Sequence, residues 1–444
     1  MNLVLLVAVG VLMQAVRSFD VLGSGGASGP LLGFGYVLVS AFFAGALFKE
    51  LRLPRLTGYI VVGVVSGPTL LGLLSPEMVG SLDTLGGIAV STIALSAGTE
   101  LDLRAMRPLL RTVRAITLWG VLGTTALLAM TVLLLRPWLP FLRASDPVQG
   151  VAVALVLGVV MVAQSPAVVV ALRDEMRADG PVARTVLGVV VLADLVVIVL
   201  FALCSTLAKS ALGTSGDVAG MAALLAWRIA GSFVVGALVG VGLAAYLRKV
   251  ARDASLFLLF AIVLVAEAGR RLQLDPLLIA LAAGVLVRNA TSVAPVLTRE
   301  LQPSALPVSI VFFATAGATL HLEALRTVWF PAGVLVAVRA GGLFLGSRWG
   351  ARRAGAPPSV VRFAGVGLLP QAGLALALAT LFVKTFPEFG SAASALTLGV
   401  VALNELLAPA LFRGALVRAG EVGRLAAPEP SVSYALPGSS PPPS

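Results

Sequence analysis

The sequence predicts an all-α polytopic membrane protein with about 13 to 14 transmembrane helices, and three observations carry that prediction. First, 58% of the 444 residues are hydrophobic and only 12% are charged, with a mean hydropathy of +1.01. A soluble domain carries about twice that charged fraction. Second, many apolar runs are long enough to cross roughly 30 Å of hydrocarbon as helices, and they lack the alternation that the strands of an outer-membrane barrel require. Third, the basic residues cluster at alternate ends of these runs.

Residues 2–16, NLVLLVAVGVLMQAV, lack a basic start and a small-x-small cleavage site, so they read as a short uncleaved span and not as a signal peptide. The Gly/Ser-rich VLGSGGASGP that follows is a flexible connection, which makes residues 1–30 an added span and linker. Thirteen further apolar segments follow at 31–48, 58–74, 82–99, 112–135, 148–172, 182–207, 219–247, 254–273, 276–289, 304–320, 327–350, 359–385 and 391–418. With the N-terminus cytoplasmic and the side alternating, 22 of the 32 Lys and Arg fall on the cytoplasmic side and 8 on the other, while Arg228 and Arg339 lie within spans. That bias fits the positive-inside rule and would scramble if one internal span were miscounted. The prediction is therefore fourteen spans in the plasma (inner) membrane with both termini cytoplasmic. The net charge of +11 reports this topology and not nucleic-acid binding.

Residues 421–444, Pro/Ser-rich from about Ala427 (APEPSVSYALPGSSPPPS), are predicted to be a disordered tail too short to form a domain. Cys204 is the only cysteine, which excludes an intramolecular disulfide and a cysteine-rich metal site. No Gly-rich phosphate loop follows a predicted strand. The sequence thus predicts no nucleotide site, no enzyme active site and no cofactor.

The chemistry concentrates in four segments. Asp194 lies near the middle of 182–207, where an ionised carboxylate costs at least ~2.5 kcal/mol and marks an ion or proton site by default. The bland alternative is a structural carboxylate satisfied by neighbouring backbone. Segment 148–172 contains Gln164, Ser165 and Pro166, and segment 359–385 contains Pro370, Gln371 and Gly373. A proline removes a backbone donor and clashes with the preceding turn, so both helices are predicted to break. One such kink is ordinary in a membrane helix; a pair in the two halves of a transporter points to its binding site. Arg339, about ten residues from the nearest predicted span end, keeps its charge if buried and is suited to opposed half-helix ends. Glu405 and Glu267 are candidate partners for Arg339. Glu77, Glu100, Asp102 and Arg104 read as interfacial anchors or the rim of an ion funnel. The single histidine, His321, sits at a span end as a surface residue or pH sensor.

Seven stretches in order resemble the monovalent cation:proton antiporters, in the branch of bacterial sodium/proton and Kef-type potassium/proton exchangers. They are GYIVVGVVSGPTLLGLL (58–74), GTELDLRAMR (98–107), QSPAVVVAL (164–172), LADL (192–195), DPLLIALAAGVLVRN (275–289), LLPQAGLALAL (368–378) and LNELLAP (403–409). The resemblance spans about Phe34 to Gly420. It implies inverted repeats with two crossing broken helices, and a homodimer of scaffold and moving core domains. Scaffold helices are expected at about 31–74 and 254–320, core helices at about 82–207 and 327–418, and a linker helix at about 219–247. It further implies that Asp194 is the ion-binding aspartate and Arg339 the buried basic residue of the core.

The resemblance implies exchange of a monovalent cation, Na⁺ or K⁺, for protons by alternating access. Asp194, Ser165 and Gln371 are the expected ion and proton ligands, and Arg339 and Glu405 the expected charge compensation. The chain departs from the family at Ala193, where an acid or amide usually precedes the aspartate; alanine can neither carry a proton nor ligate a cation. It also lacks the cytosolic nucleotide-binding domain of many Kef-type relatives. The residues leave open a cation channel or potassium efflux pathway, a sodium-coupled organic-anion symporter, and a sensor without transport.

Overall fold

In a computed structural model, the structure describes residues 1–20, 29–51, 53–143, 145–211, 223, 226–250, 254–319, 322–371, 374–375, 378–379, 381–382, 386 and 389–424. Among them no strand occurs. The helices are α1 (Asn2–Asp20), α2 (Gly29–Glu50), α3 (Arg55–Ser66), α4 (Pro76–Glu100), α5 (Arg107–Leu134), α6 (Pro147–Val162), α7 (Pro166–Met176) and α8 (Pro181–Ala211). There follow α9 (Trp227–Lys249), α10 (Ala254–Leu272), α11 (Pro276–Ala290), α12 (Ala294–Ala318), α13 (Leu322–Arg353), α14 (Pro358–Gly367) and α15 (Gly390–Ala419).

Every predicted segment coincides at least in part with one of these helices, while parts of 219–247 and of 359–385 lie outside the described residues. Among the described residues eight helices are long and apolar enough to span, or up to nine if the two parts of α12, bent by 61°, count as one. Helices α1, α3 and α11 are shorter apolar helices, and α10 ends in Glu267, Arg270 and Arg271. Many starts were written in the sequence: Pro76, Pro147, Pro166, Pro181, Pro276 and Pro358 each open a helix. At that position the missing N–H costs nothing and the fixed φ suits the helix. Ser75, Asp146, Ser165 and Asp275 cap the helices that follow them through their side-chain oxygens.

Two segments differ most in extent from the sequence prediction. The helix predicted over 58–74 stops at Ser66, because Gly67 precedes Pro68 and takes an extended conformation. The segment predicted to start at 304 starts ten residues earlier, with Pro303 and Pro307 bending α12 in place of ending it.

Packing sorts the helices into two groups. One contains α2, α3, α4, α9, α10, α11 and α12; the other contains α5, α6, α8, α13, α14 and α15. The groups meet where α7 touches α3 and α4 and where α15 touches α3. This corrects one expectation: α4, placed by sequence among the core helices, packs chiefly on α11 and α12 of the scaffold group. The cause is a glycine crossing, since a Cβ on Gly98 would fall 2.8 Å from the Cα of Gly284. Only two residues without side chains permit that approach.

The predicted tail is corrected in part. Residues 421–424 belong to the fold, with Glu421 1% exposed. Its carboxylate accepts from the backbone N–H groups of Val182 (2.7 Å) and Ala183 (2.8 Å), capping the first turn of α8. A backbone pair from Asp179 N–H to the Glu421 carbonyl and another from Gly423 N–H to the Met176 carbonyl hold the segment there. The rest of the tail lies outside the described residues.

Candidate ion-binding site

The two proline-interrupted segments break where predicted. Helix α6 ends at Val162 and α7 begins at Pro166, with Ala163, Gln164 and Ser165 nonhelical between them. Helix α14 ends at Gly367, and Leu369, Pro370 and Gln371 are nonhelical. The breaks touch directly: the Ser165 N–H donates to the Pro370 carbonyl at 3.0 Å. Non-helical backbone at membrane depth is tolerated only inside protein or beside a cavity, and Ala163, Gln164, Ser165 and Gln371 are all buried. Gly373, expected at the same crossing, lies outside the described residues, as does His321.

Arg339 of α13 is wholly buried and grips both half-helix ends. Its Nε donates to the Met161 carbonyl (2.8 Å) and its Nη2 to the Ala163 carbonyl (3.0 Å), at the end of α6. Its Nη1 donates to the Leu369 carbonyl (2.7 Å) and its Nη2 to that of Leu368 (3.4 Å), past the end of α14. A helix C-terminus leaves its last carbonyls unpaired and carries partial negative charge. One planar guanidinium with five donors satisfies two such ends at once.

Among the described residues, Arg339 therefore pairs with carbonyls and with Asn404 Oδ1 (3.4 Å), and not with a carboxylate. Both candidate acids are corrected as partners. Glu267 instead binds Arg270 (2.7 Å) and Arg271, four residues or fewer along its own helix. Glu405 is 3% exposed in α15, and its Oε2 has no hydrogen-bond partner among the described residues.

Asn404 is the member the sequence reading missed, although it stands in the quoted LNELLAP stretch. Its Nδ2 donates to Gln371 Oε1 (2.8 Å), while Gln371 Nε2 donates to the Met161 carbonyl (2.8 Å). Gln371, expected to offer a free ligand oxygen, thus spends that oxygen on Asn404 and ties the breaks together. Ser165 Oγ likewise accepts from Val168 N–H (3.2 Å), the first turn of α7.

Asp194 is 3% exposed on α8, and its Oδ1 has no hydrogen-bond partner among the described residues. The neighbouring Ala193 is fully buried and adds no polar atom. Helix α8 packs against α6, α7 and α14, so the carboxylate is carried on the helix that touches both interrupted segments. Gln164 Oε1 is a second buried oxygen without a partner; its Nε2 donates to the Val162 carbonyl. Buried oxygens without a hydrogen-bond partner call for a bound proton, ion or water, and Asp194 Oδ1 and Gln164 Oε1 are two of those in the described residues. Among the described residues, no group of three or more His, Cys, Asp or Glu is placed to hold a metal.

The chain is similar to known transport proteins. Residues 38–417 match the family model described as sodium/hydrogen exchanger, transmembrane. The chain is 26% identical over 359 residues to the Na(+)/H(+)-K(+) antiporter GerN of Bacillus cereus, covering 77% of this chain and 85% of GerN. It is 30% identical over 163 residues to the iron transporter MagA of Paramagnetospirillum magneticum, a match that spans 36% of this chain and 34% of that protein. In fold it is similar to the sodium proton antiporter MjNhaP1 of Methanocaldococcus jannaschii, with a TM-score of 0.62 and 16% identity over 87% of this chain and 97% of the other. With a family model matched over most of its length and the same helical architecture, the chain belongs to the sodium/hydrogen exchanger family of cation:proton antiporters.

Proposed function

We propose that this chain exchanges a monovalent cation, Na⁺ or K⁺, for protons by alternating access, one for one, with Asp194 as the shared site. The observation that carries the proposal is a buried carboxylate oxygen without a protein partner, on the helix that packs against both interrupted segments. Such a group is expensive to leave ionised in apolar surroundings. It is relieved equally by a proton or by a cation, so the two compete, and either one neutralises the site for movement past the lipid-depth barrier. Gln164 Oε1 is the proposed second oxygen ligand, with Ser165 and Gln371 holding the surrounding backbone. Arg339 does not titrate in the cycle; it fixes the paired half-helix ends so that they move as one body.

The protein is proposed to work as a homodimer in the plasma (inner) membrane with both termini cytoplasmic, following the basic-residue bias. Its α5–α8 and α13–α15 helices rock against the scaffold group about the contacts of α7 and α15 with α3. The test is proton release from everted vesicles, read by fluorescence dequenching as each chloride salt is added. Wild-type chain should dequench with Na⁺ or K⁺, and Asp194→Asn at equal expression should not. Cation flux that ignores the proton gradient would instead make the chain a channel.

A further inference from the structure

Helices α5 and α13 run antiparallel and touch along most of their length. They cross closely, since a Cβ on Gly346 or Gly350 would fall on the carbonyl oxygen of Trp119 or Ala115. Four of the chain's five tryptophans sit on this pair, at two levels. At one level the Trp119 and Trp349 rings lie 6.2 Å apart, both exposed. At the other, just past the end of α5, Trp138 meets Phe330 at 5.8 Å beside Trp329. Trp119 and Trp138 are 19 residues apart and Trp329 and Trp349 are 20, about 28–30 Å of helix. That is the thickness of a hydrocarbon core, and amphipathic rings collect at both of its edges. Between the levels Leu118, Leu127, Met130 and Leu345 are exposed. The pair thus faces lipid, and its aromatic levels mark the two edges of the bilayer.

The two edges differ in charge. Beside Trp138, Arg136 spends its guanidinium on the protein: Nε donates to the Leu142 carbonyl (2.9 Å) and Nη2 to that of Ser145. At the Trp119–Trp349 edge, Arg107, Arg111 and Arg114 follow one another at helical spacing on α5, all exposed. Arg348, Arg352 and Arg353 stand on the facing end of α13. The Arg353 guanidinium lies 5.0 Å from the centre of the Trp349 ring, a cation–π contact that holds it at the level of the rings. The sequence has no acid between Asp102 and Asp146, nor between Glu323 and Glu388. Among the described residues none of these six arginines forms an ion pair. Basic residues assigned to the same side in the scaffold group are paired, Arg288 with Asp102 (3.5 Å) and Arg299 with Glu300 (3.2 Å). The topology bias accounts for positive charge on this side. It does not account for six arginines gathered without an acid at one helix crossing.

We propose that the α5–α13 crossing is a binding surface for acidic phospholipid. Arg111, Arg114, Arg348, Arg352 and Arg353 hold the headgroup phosphate, and the acyl chains lie along Leu118 and Leu345. A guanidinium meets a phosphate through two parallel hydrogen bonds, and basic clusters at the membrane edge attract anionic lipid. Lipid bound there holds the helix group that carries Asp194 and Arg339 to one leaflet. The inference does not depend on the antiport reading.

Trp138→Phe, Trp227→Phe and Trp329→Phe together leave Trp119 and Trp349 as fluorescent reporters. With this full-length chain in phosphatidylcholine vesicles, brominated phosphatidylglycerol should quench at about one-fifth of the mole fraction that brominated phosphatidylcholine needs. A fivefold preference is what a single basic residue near the surface supplies. Adding Arg111→Gln, Arg114→Gln and Arg352→Gln should close the gap. Equal quenching by the two lipids in the parent chain, or a preference that survives those three substitutions, overturns the surface. Quenching by neither lipid, the result expected if a second copy of this chain covers the pair, overturns it as well. The wild-type chain gives a second measurement. In neutral detergent, phosphatidylglycerol should raise its melting temperature more than phosphatidylcholine does, because a ligand bound only by the folded state stabilises it. The variant carrying the three arginine substitutions should lose that extra rise. No extra rise in wild type, or an equal one in the variant, overturns the surface.

Discussion

The backbone N–H of Ser165 donates to the carbonyl of Pro370 at 3.0 Å, so the two interrupted helices are joined break to break. Proline explains why each helix breaks, since it supplies no N–H and crowds the preceding turn. It does not explain why the exposed carbonyls are tolerated. Arg339 and Gln371 do, because their donors take carbonyls that the breaks leave open, and Asn404 holds Gln371 in place.

Arg339→Ala is the first prediction. It removes the donors facing Met161, Ala163, Leu368 and Leu369 at once. Each orphaned buried acceptor costs about 1–3 kcal/mol, so the loss should exceed about 3 kcal/mol even if some carbonyls find other partners. Thermal unfolding in detergent should show a large drop in melting temperature. Arg339→Lys should recover part of it, since an ammonium reaches one helix end but lacks the planar fork. Wild-type melting of the alanine variant would mean that the guanidinium is not what holds the crossing.

Asn404→Ala should lower stability by about 1–3 kcal/mol, because it strands Gln371 Oε1 in a dry site. Gln371 would then be free to turn, so cation affinity should change as well as melting. A melting shift without any change in half-saturating cation concentration would restrict Asn404 to a purely structural role.

How legible these residues were in the sequence depends on whether their effect is local. Pro166 and Pro370 announced the breaks because proline acts on its own turn. Asp194 and Arg339 stood out because a charge within an apolar run has few bland explanations. For Arg339 the sequence suggested both opposed half-helix ends and a carboxylate, Glu405 or Glu267; the structure supplies the half-helix carbonyls and neither carboxylate. Which helix ends converge on one point is a property of the whole bundle and leaves no local mark. Asn404 was overshadowed by the charge beside it. Helix α4 was assigned to the wrong group because the Gly98–Gly284 crossing joins residues far apart in the chain. Glu421 was missed because a Pro/Ser-rich tail was judged by its average composition.

Glu421 gives the third prediction. Removing residues 425–444 should leave melting unchanged, whereas Glu421→Ala should cost about 1–2 kcal/mol by uncapping the helix that carries Asp194. Glu421→Gln should fall between them, keeping one acceptor and losing the charge that favours a helix N-terminus. Equal melting of Glu421→Ala and wild type would show that the cap contributes nothing.

Asp179, in the turn between α7 and α8, carries a pH prediction. The Arg184 guanidinium, hydrogen-bonded to it at 2.8 Å, holds its carboxyl below the usual range. A depressed folded value stabilises above the ordinary Asp value of about 3.9, and that gain is lost as pH falls through the folded value. Arg184 is about half exposed, so after screening the pair contributes under about 1 kcal/mol. Asp179→Asn should melt slightly below wild type at neutral pH and equal to it in strong acid. A difference that persists at low pH would rule out the ion pair as its source.

The last prediction concerns stoichiometry: exchange should be electroneutral. A cycle that moves net charge needs a second group that releases a proton as the cation binds. The residue before Asp194 is Ala193, which has no proton to give. Arg339 is committed to carbonyls of both half-helices and, as a guanidinium, stays charged. One carboxylate that alternates between a proton and a monovalent cation carries the same charge in both directions. Glu405 is a second buried carboxylate with an unpartnered oxygen, on the helix whose Asn404 reaches the breaks, so it is the group proposed to restore a two-proton cycle. Purified chain in liposomes decides between them, with cation-driven pH change followed while an ionophore for a non-substrate ion imposes the membrane potential. The imposed potential should drive no proton movement when cation and pH gradients are balanced. If it does, and Glu405→Gln abolishes that movement while leaving exchange intact, Glu405 is the second carrier and the single-carboxylate cycle is wrong.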